Sequence, residues 1–322
     1  RIIETLYGKL KGVMVTDQVS VFRGIPYAAP PVAERRWRPP QAPETWREVR
    51  DATLFSDSCI QPTFASSYVW RRADFAVTED CLYLNIWAKQ SAENLPVMVW
   101  FHGGAHTSGQ GHSQIFDGTT LAEHDVILVS INYRLGALGF LAHPWLSEES
   151  DHASSGNYGL LDKIAALNWV RDNIAQFGGN PDNVTIFGQS AGSQSVCSLM
   201  VSPLAQGLFH KAIGQSAACV GPAPRRDAAG LERGEKLVEF LGADSLEALR
   251  AVPPVEILTA TDTSGWANAS RIVIDGWVLP EPQVDTFRAG RQAQVPLMLG
   301  CLSDEGVNLL PLNEALTEDQ LV

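Results

Sequence analysis

The chain holds 322 residues, 45% of them apolar and 8% aromatic, enough to bury a large core in one or two domains. Its net charge of -12, from 36 acidic and 24 basic residues, argues against nucleic acid or an anionic membrane as a partner, and no uninterrupted apolar run reaches the length of a membrane span. It opens at Arg1 without a methionine or an apolar leader, so any secretory signal is expected to have been removed or left out.

In chain order, residues 1–25 alternate around Gly8 and Gly12 and predict an antiparallel β-meander at one edge. Residues 26–48 are rich in proline and arginine and predict an ordered loop, pinned to the body by Trp37 and Trp46. The five cysteines are an odd number, in spacings that fit no metal motif. A bridge between Cys59 and Cys81 would close about 23 residues and stabilise the fold by roughly 3 kcal/mol on the chain-entropy account. Cys197, Cys219 and Cys301 fall within or beside predicted core elements and read as small buried thiols.

A strand is predicted over Leu82–Trp87. The nearly continuous apolar runs Pro96–Phe101 and Val126–Asn132 predict central strands covered on both faces. Between them, His102–Asp117 is too glycine-rich and polar to serve packing alone. Leu160–Phe177 has apolar residues at helical spacing and stops at Gly178-Gly179. Lys211–Gln215 is a short strand. Residues 225–261 predict a helical insertion rather than a separate domain, because strands at Ile272–Leu279 and Val295–Gly300 return to the same sheet. Strands alternating with helices make residues 1–322 one α/β domain around an open, mostly parallel sheet.

The most informative stretch is VTIFGQSAGSQSVCSLM, residues 184–200, which reads as a strand, a sharp turn and a helix. Gly188-Gln189-Ser190-Ala191-Gly192 is a G-x-S-x-G nucleophile elbow in that context, with Ser190 projecting its hydroxyl above the C-terminal edge of the sheet. Side chains at 188 and 192 would collide as strand and helix fold back on each other.

Several segments together resemble the type-B carboxylesterases, the α/β-hydrolase family that also holds cholinesterases and fungal lipases. They are FRGIPYAAPP (22–31), EDCLYLNIW (79–87), WFHGG (100–104), NYRLGALGFL (132–141), GNYGLLD (156–162) and FGGNPDNVTIFGQSAG (177–192). The resemblance implies an α/β-hydrolase fold with an N-terminal antiparallel meander, and ester cleavage through an acyl-enzyme without metal or cofactor. Ser190 is then the nucleophile, and the oxyanion hole is built from the N–H groups of Gly103, Gly104 and Ala191. The family's loop commonly reads His-Gly-Gly-Gly; here it is His102-Gly103-Gly104-Ala105. Glu305, in Ser303-Asp304-Glu305-Gly306, matches the family's acid, although by chemistry alone neighbouring Asp304 also qualifies.

By the same resemblance Cys59 and Cys81 form the N-terminal disulfide, and Arg134–Asp162 and Arg36–Glu79 form buried ion pairs. A disulfide points to a secreted or periplasmic protein, with a cytoplasmic one as the alternative. Gln189 stands where the family commonly has glutamate, which weakens any preference for cationic esters. Arg71 and Arg72, beside Trp70, are candidates for favouring carboxylate-bearing esters.

The base is the missing member. The order Ser, acid, His requires a histidine after Glu305, yet all seven histidines (His102, His106, His112, His124, His143, His152, His210) precede it. The family extends well beyond residue 322 to its final strand and histidine, so the chain reads as the N-terminal three-fifths of an esterase. The base is expected from a missing segment or from a second polypeptide, and residues 1–322 alone are expected to have very low activity. The competing readings are a non-catalytic cholinesterase-like binding domain and an inactive enzyme fragment. The partner implied is a small-molecule ester.

Overall fold

The computed structural model describes residues 1–62, 76–219, 227–263 and 272–305. Trp70, Arg71 and Arg72 lie outside them, so the carboxylate-ester expectation has no structural counterpart.

The N-terminal segment forms β1 (Ile2–Thr5), β2 (Gly8–Lys11), β3 (Val13–Met14) and β4 (Val19–Pro26). The predicted meander is divided between two sheets. β1 and β2 pair antiparallel in a small sheet with β5 (Arg50–Asp51), whereas β3 and β4 pair antiparallel at the edge of the main sheet. The proline-rich loop is anchored as expected, because the indole N–H of Trp37 donates to the Ala137 carbonyl at 2.9 Å and that of Trp46 to the Lys9 carbonyl at 2.9 Å. Two short strands, β6 (Ser58–Cys59) and β7 (Val77–Thr78), pair beside the Cys59–Cys81 disulfide.

The main sheet is then built from β8 (Tyr83–Lys89), β9 (Leu95–Phe101), β10 (Ile127–Ile131), β11 (Gly179–Gln189), β12 (Lys211–Gln215) and β13 (Leu297–Gly300). The spatial order of its eight strands is β13-β12-β11-β9-β10-β8-β4-β3. β13 through β10 run parallel, and β8, β4 and β3 are antiparallel to their neighbours. β10 is buried at all five positions, as a strand covered on both faces must be. α1 (Thr119–Glu123) packs over Trp87, Trp100 and Leu128 on one side.

α2 (Gly136–Phe140) and α3 (Pro144–Glu149) lead to α4 (Tyr158–Asn173), which buries residues almost all round, Asp162 and Lys163 included. α5 (Ala191–Val201) follows the elbow. The helical insertion is α6 (Asp227–Phe240), α7 (Leu246–Ala251) and α8 (Pro254–Thr263), and α9 (Gln283–Arg288) leads to β13. The insertion is tied to the N-terminal loop through Arg36, which donates to the carbonyls of Arg250 and Val252 at 2.7 and 2.6 Å.

Three sequence expectations need correction. Ile272–Leu279 is not a sheet strand: Asp275 Oδ1 accepts from the Trp277 and Leu279 amides at 3.1 and 2.8 Å and bends the chain there. Its apolar residues Ile272, Val273, Val278 and Leu279 are buried all the same. Cys197 and Cys219 are not free thiols but a second disulfide, between α5 and the chain leaving β12. Cys301 is a free thiol, and it is exposed rather than buried.

The ion pairs are bidentate. Arg36 donates twice to Glu79, each at 2.6 Å, and Arg134 donates to both oxygens of Asp162, with neither side chain more than 4% exposed. Asp162 also accepts the Arg134 backbone N–H at 3.0 Å, so it fixes the start of the loop after β10 as well as the guanidinium. Asp162→Asn leaves that guanidinium buried without a counter-charge and is expected to destabilise the protein by about 3 to 5 kcal/mol in denaturant unfolding; a change under about 1 kcal/mol would contradict this role for the pair.

Candidate active site

The candidate site stands at the C-terminal ends of two adjacent parallel strands, β9 and β11, whose register pairs Phe101 with Gly188. Ligands bind outside this end of an open α/β sheet. From β11 the chain enters Ser190 at φ 55°, ψ -119°, a region that L residues avoid at about 1 to 3 kcal/mol. Two backbone bonds hold that conformation: Ser190 N–H donates to the Gln215 carbonyl at 2.8 Å, and its own carbonyl accepts the Gln194 N–H at 3.0 Å. Ser190 is half-buried, at the N-terminus of α5.

The turn is possible because the backbone closes on itself without side chains. A Cβ on Gly192 would lie 2.0 Å from the Phe101 carbonyl oxygen, and one on Gly188 would lie 2.6 Å from the Gly192 carbonyl carbon. The loop after β9 also lies close: a Cβ on Gly103 would lie 2.8 Å from the Gln189 carbonyl oxygen and 3.3 Å from the Ser190 Cβ. Gly104 follows at φ +115°, and its carbonyl accepts the Thr107 and Ser108 amides at 2.9 and 3.0 Å, which turns the loop back over itself. Ala191 is buried, in the first turn of α5. The structure therefore brings Ser190, Gly103 and Ala191 together, with Gly104 adjoining.

Glu305 stands further along the same sheet end. β12 pairs with β13, and Ser216 N–H donates to the Gly300 carbonyl at 2.7 Å. Five residues on, Glu305 is partly exposed, with Oε2 accepting the Leu302 N–H at 3.0 Å. Asp304 is exposed, and its Oδ2 accepts the Ser303 hydroxyl at 3.0 Å.

The histidines are engaged elsewhere. His102 is fully buried, with its ring stacked on Tyr133 and Nδ1 2.8 Å from the Gly103 carbonyl oxygen. His106 is buried against Phe140, and His143 caps α3. His152 stacks on Trp277, His210 accepts the Val184 N–H, and His124 ends α1. His112 makes a serine contact, with Nε2 3.4 Å from the Ser58 hydroxyl, but burial pulls its pKa down to about 4, a poor match for a base at neutral pH.

Sequence reasoning missed two residues next to this site. Lys163 is fully buried with its amine over the Tyr133 ring, and the Tyr133 hydroxyl donates to the His102 carbonyl at 2.7 Å. No periodicity marks Lys163, because α4 is buried round nearly its whole circumference.

A mixed, mostly parallel sheet with a serine in a strained turn between strand and helix is the α/β-hydrolase fold. Within that class the chain belongs to the carboxylesterase family, whose match runs over residues 1–320. It is 41% identical over 313 residues to the fumonisin B1 esterase of Sphingopyxis macrogoltabida, covering 94% of this chain and 56% of that protein. It is 40% identical over 315 residues to the para-nitrobenzyl esterase of Bacillus subtilis, covering 95% of this chain and 63% of that protein. Among solved structures, a PNB esterase superposes with a TM-score of 0.88 at 38% identity, over 100% of this chain and 67% of that one. A Geobacillus stearothermophilus carboxylesterase gives 0.86 at 40% identity, over 96% and 62%. The chain thus spans 56% and 63% of the two curated relatives. Each relative carries the matched region within one longer chain, which leaves a separate base-bearing polypeptide without support.

Gly192→Ala drives a methyl group into the Phe101 carbonyl, and a backbone neighbour has no rotamer with which to yield. The expected result is a loss of about 3 kcal/mol or more in denaturant unfolding, and a loss below about 0.5 kcal/mol would contradict the crowding described.

Proposed function

We propose that the protein is a serine carboxylester hydrolase acting on small-molecule esters, with Ser190 as nucleophile. The observation that carries this reading is the strained Ser190 turn set against Gly103 and the first turn of α5. In the proposed reaction Ser190 Oγ attacks the ester carbonyl carbon as a histidine takes its proton. The carbonyl oxygen becomes an oxyanion that accepts the N–H groups of Gly103, Gly104 and Ala191, each donor contributing on the order of 10² to 10³ in rate. Collapse expels the alcohol, which receives the proton from the imidazolium and leaves an acyl-Ser190 ester. Water, deprotonated by the same histidine, attacks that ester and releases the acid.

Glu305 is the proposed carboxylate that orients the histidine. The histidine itself is assigned to residues outside 1–322, a reading supported by the engagement of His102, His106, His112, His143, His152 and His210 with other parts of the structure. Gln189 places no charge beside the nucleophile and favours neutral esters, in keeping with the nitrobenzyl ester that names one relative. The two disulfides support a secreted or periplasmic setting.

Hydrolysis of p-nitrophenyl acetate tests the proposal. The full-length protein is expected to turn it over at a rate that Ser190→Ala abolishes, and residues 1–322 alone to reach no more than about 10³ to 10⁴ over water. Full activity in Ser190→Ala would refute the nucleophile, and full activity from residues 1–322 would refute a base outside them.

A further inference from the structure

Lys163 is a costly residue to bury. Its side chain is 0% exposed, on a helix that pairs the adjacent Asp162 with Arg134. Burial pulls its pKa well below that of a solvated lysine, with Asp162 pushing the other way. A leucine or methionine would fill the same space without desolvating an amine. Instead Nζ donates to the Gly159 carbonyl, one turn back, at 3.1 Å and stands 3.1 Å from the centre of the Tyr133 ring.

Tyr133 is itself fully buried and holds the strand end that enters the candidate site. The His102 imidazole stacks on it at 4.3 Å and 15°. An amine 3.1 Å from the ring centre leaves no room for that imidazole on the same face, so Lys163 and His102 take opposite faces of the ring. The Tyr133 hydroxyl donates to the His102 carbonyl oxygen at 2.7 Å. That carbonyl and the Gly103 N–H belong to one planar peptide unit. Fixing the oxygen therefore fixes the direction of the N–H, and drawing electron density towards the oxygen makes the N–H a stronger donor.

We propose that Lys163 and Tyr133 form a relay that aims and polarises the 102–103 peptide, so that Lys163 is a positioning residue for the oxyanion hole. The relay rests on the esterase reading above for its consequence, but not for its geometry. The amine grips one face of the ring, the ring is held in plane between amine and imidazole, and its hydroxyl sets the peptide. An interaction realised only as the oxyanion forms changes kcat and leaves substrate binding alone.

Lys163→Met, Tyr133→Phe and the double variant of the full-length protein test this. Each single change is expected to lower kcat for p-nitrophenyl acetate about tenfold with KM within about twofold, and the double variant to be no slower than Tyr133→Phe. Lys163→Gln, which keeps an N–H over the ring, is expected to recover part of the loss and guards against a misfolded Met variant. An unchanged kcat in Lys163→Met with only a lower melting temperature would overturn the relay, as would effects that multiply in the double variant. If the wild type hydrolyses no ester, the esterase reading falls, and the Gly103 amide proton in 15N-glycine-labelled protein decides the relay by itself. An upfield shift in Lys163→Met that adds nothing to that in Tyr133→Phe supports it, and an unmoved Gly103 signal in Lys163→Met overturns it.

Discussion

Strands β9 and β11 end side by side, and the chain leaving each has to turn within the same few ångströms. That crowding sets everything else at this end of the molecule. The Phe101 carbonyl lies where a Cβ of residue 192 would be, so α5 packs against the end of β9 only because position 192 has no side chain. The close packing forces Ser190 into its strained backbone, and the same closeness lays the Gly103 loop against Ser190. The strain is held by neighbours rather than by the turn itself. Ser190 N–H is fixed to β12, Ser193 Oγ donates to the Ala217 carbonyl at 3.0 Å, and the Cys197–Cys219 disulfide joins the same helix to the same segment.

Buried polar groups carry that rigidity outward. Arg134–Asp162 fixes the loop after β10 against α4, and Arg36–Glu79 fixes the proline-rich loop, whose arginine also holds two carbonyls of the helical insertion. Such groups add little net stability compared with apolar replacements, but each joins segments that lie far apart in sequence. Lys163, next to Asp162 in α4 and over the Tyr133 ring, belongs to the same set.

Much of this could be read from the sequence because its cause is local. The β-branched run before Gly188, the two glycines and the helix-compatible residues after them specify the elbow within 17 residues. The runs at Pro96–Phe101 and Val126–Asn132 specify central strands through burial on both faces. What was misread depends on partners distant in sequence or on turn chemistry. Cys59–Cys81 and Cys197–Cys219 have the same separation of 22, and the second forms because the chain leaving β12 crosses the second turn of α5, which spacing does not reveal. Ile272–Leu279 has a strand's composition, but Asp275-Gly276 carries a turn signal: Gly276 takes φ +79° and the Asp275 carboxylate caps the amides beyond it. Lys163 carries no signal of its own in the sequence, because its burial follows from the tertiary structure that covers α4 on nearly every side.

Ser190 is the proposed nucleophile, in a strained turn beside the Gly103 loop. The most direct test of that role is peptide mass mapping of the full-length protein after reaction with a fluorophosphonate, which forms a stable tetrahedral adduct only where a nucleophile and an oxyanion hole coincide. One adduct per chain is expected, on the peptide that contains Ser190. An adduct on Ser58 beside His112, or none at any serine in a protein that hydrolyses esters, would contradict it.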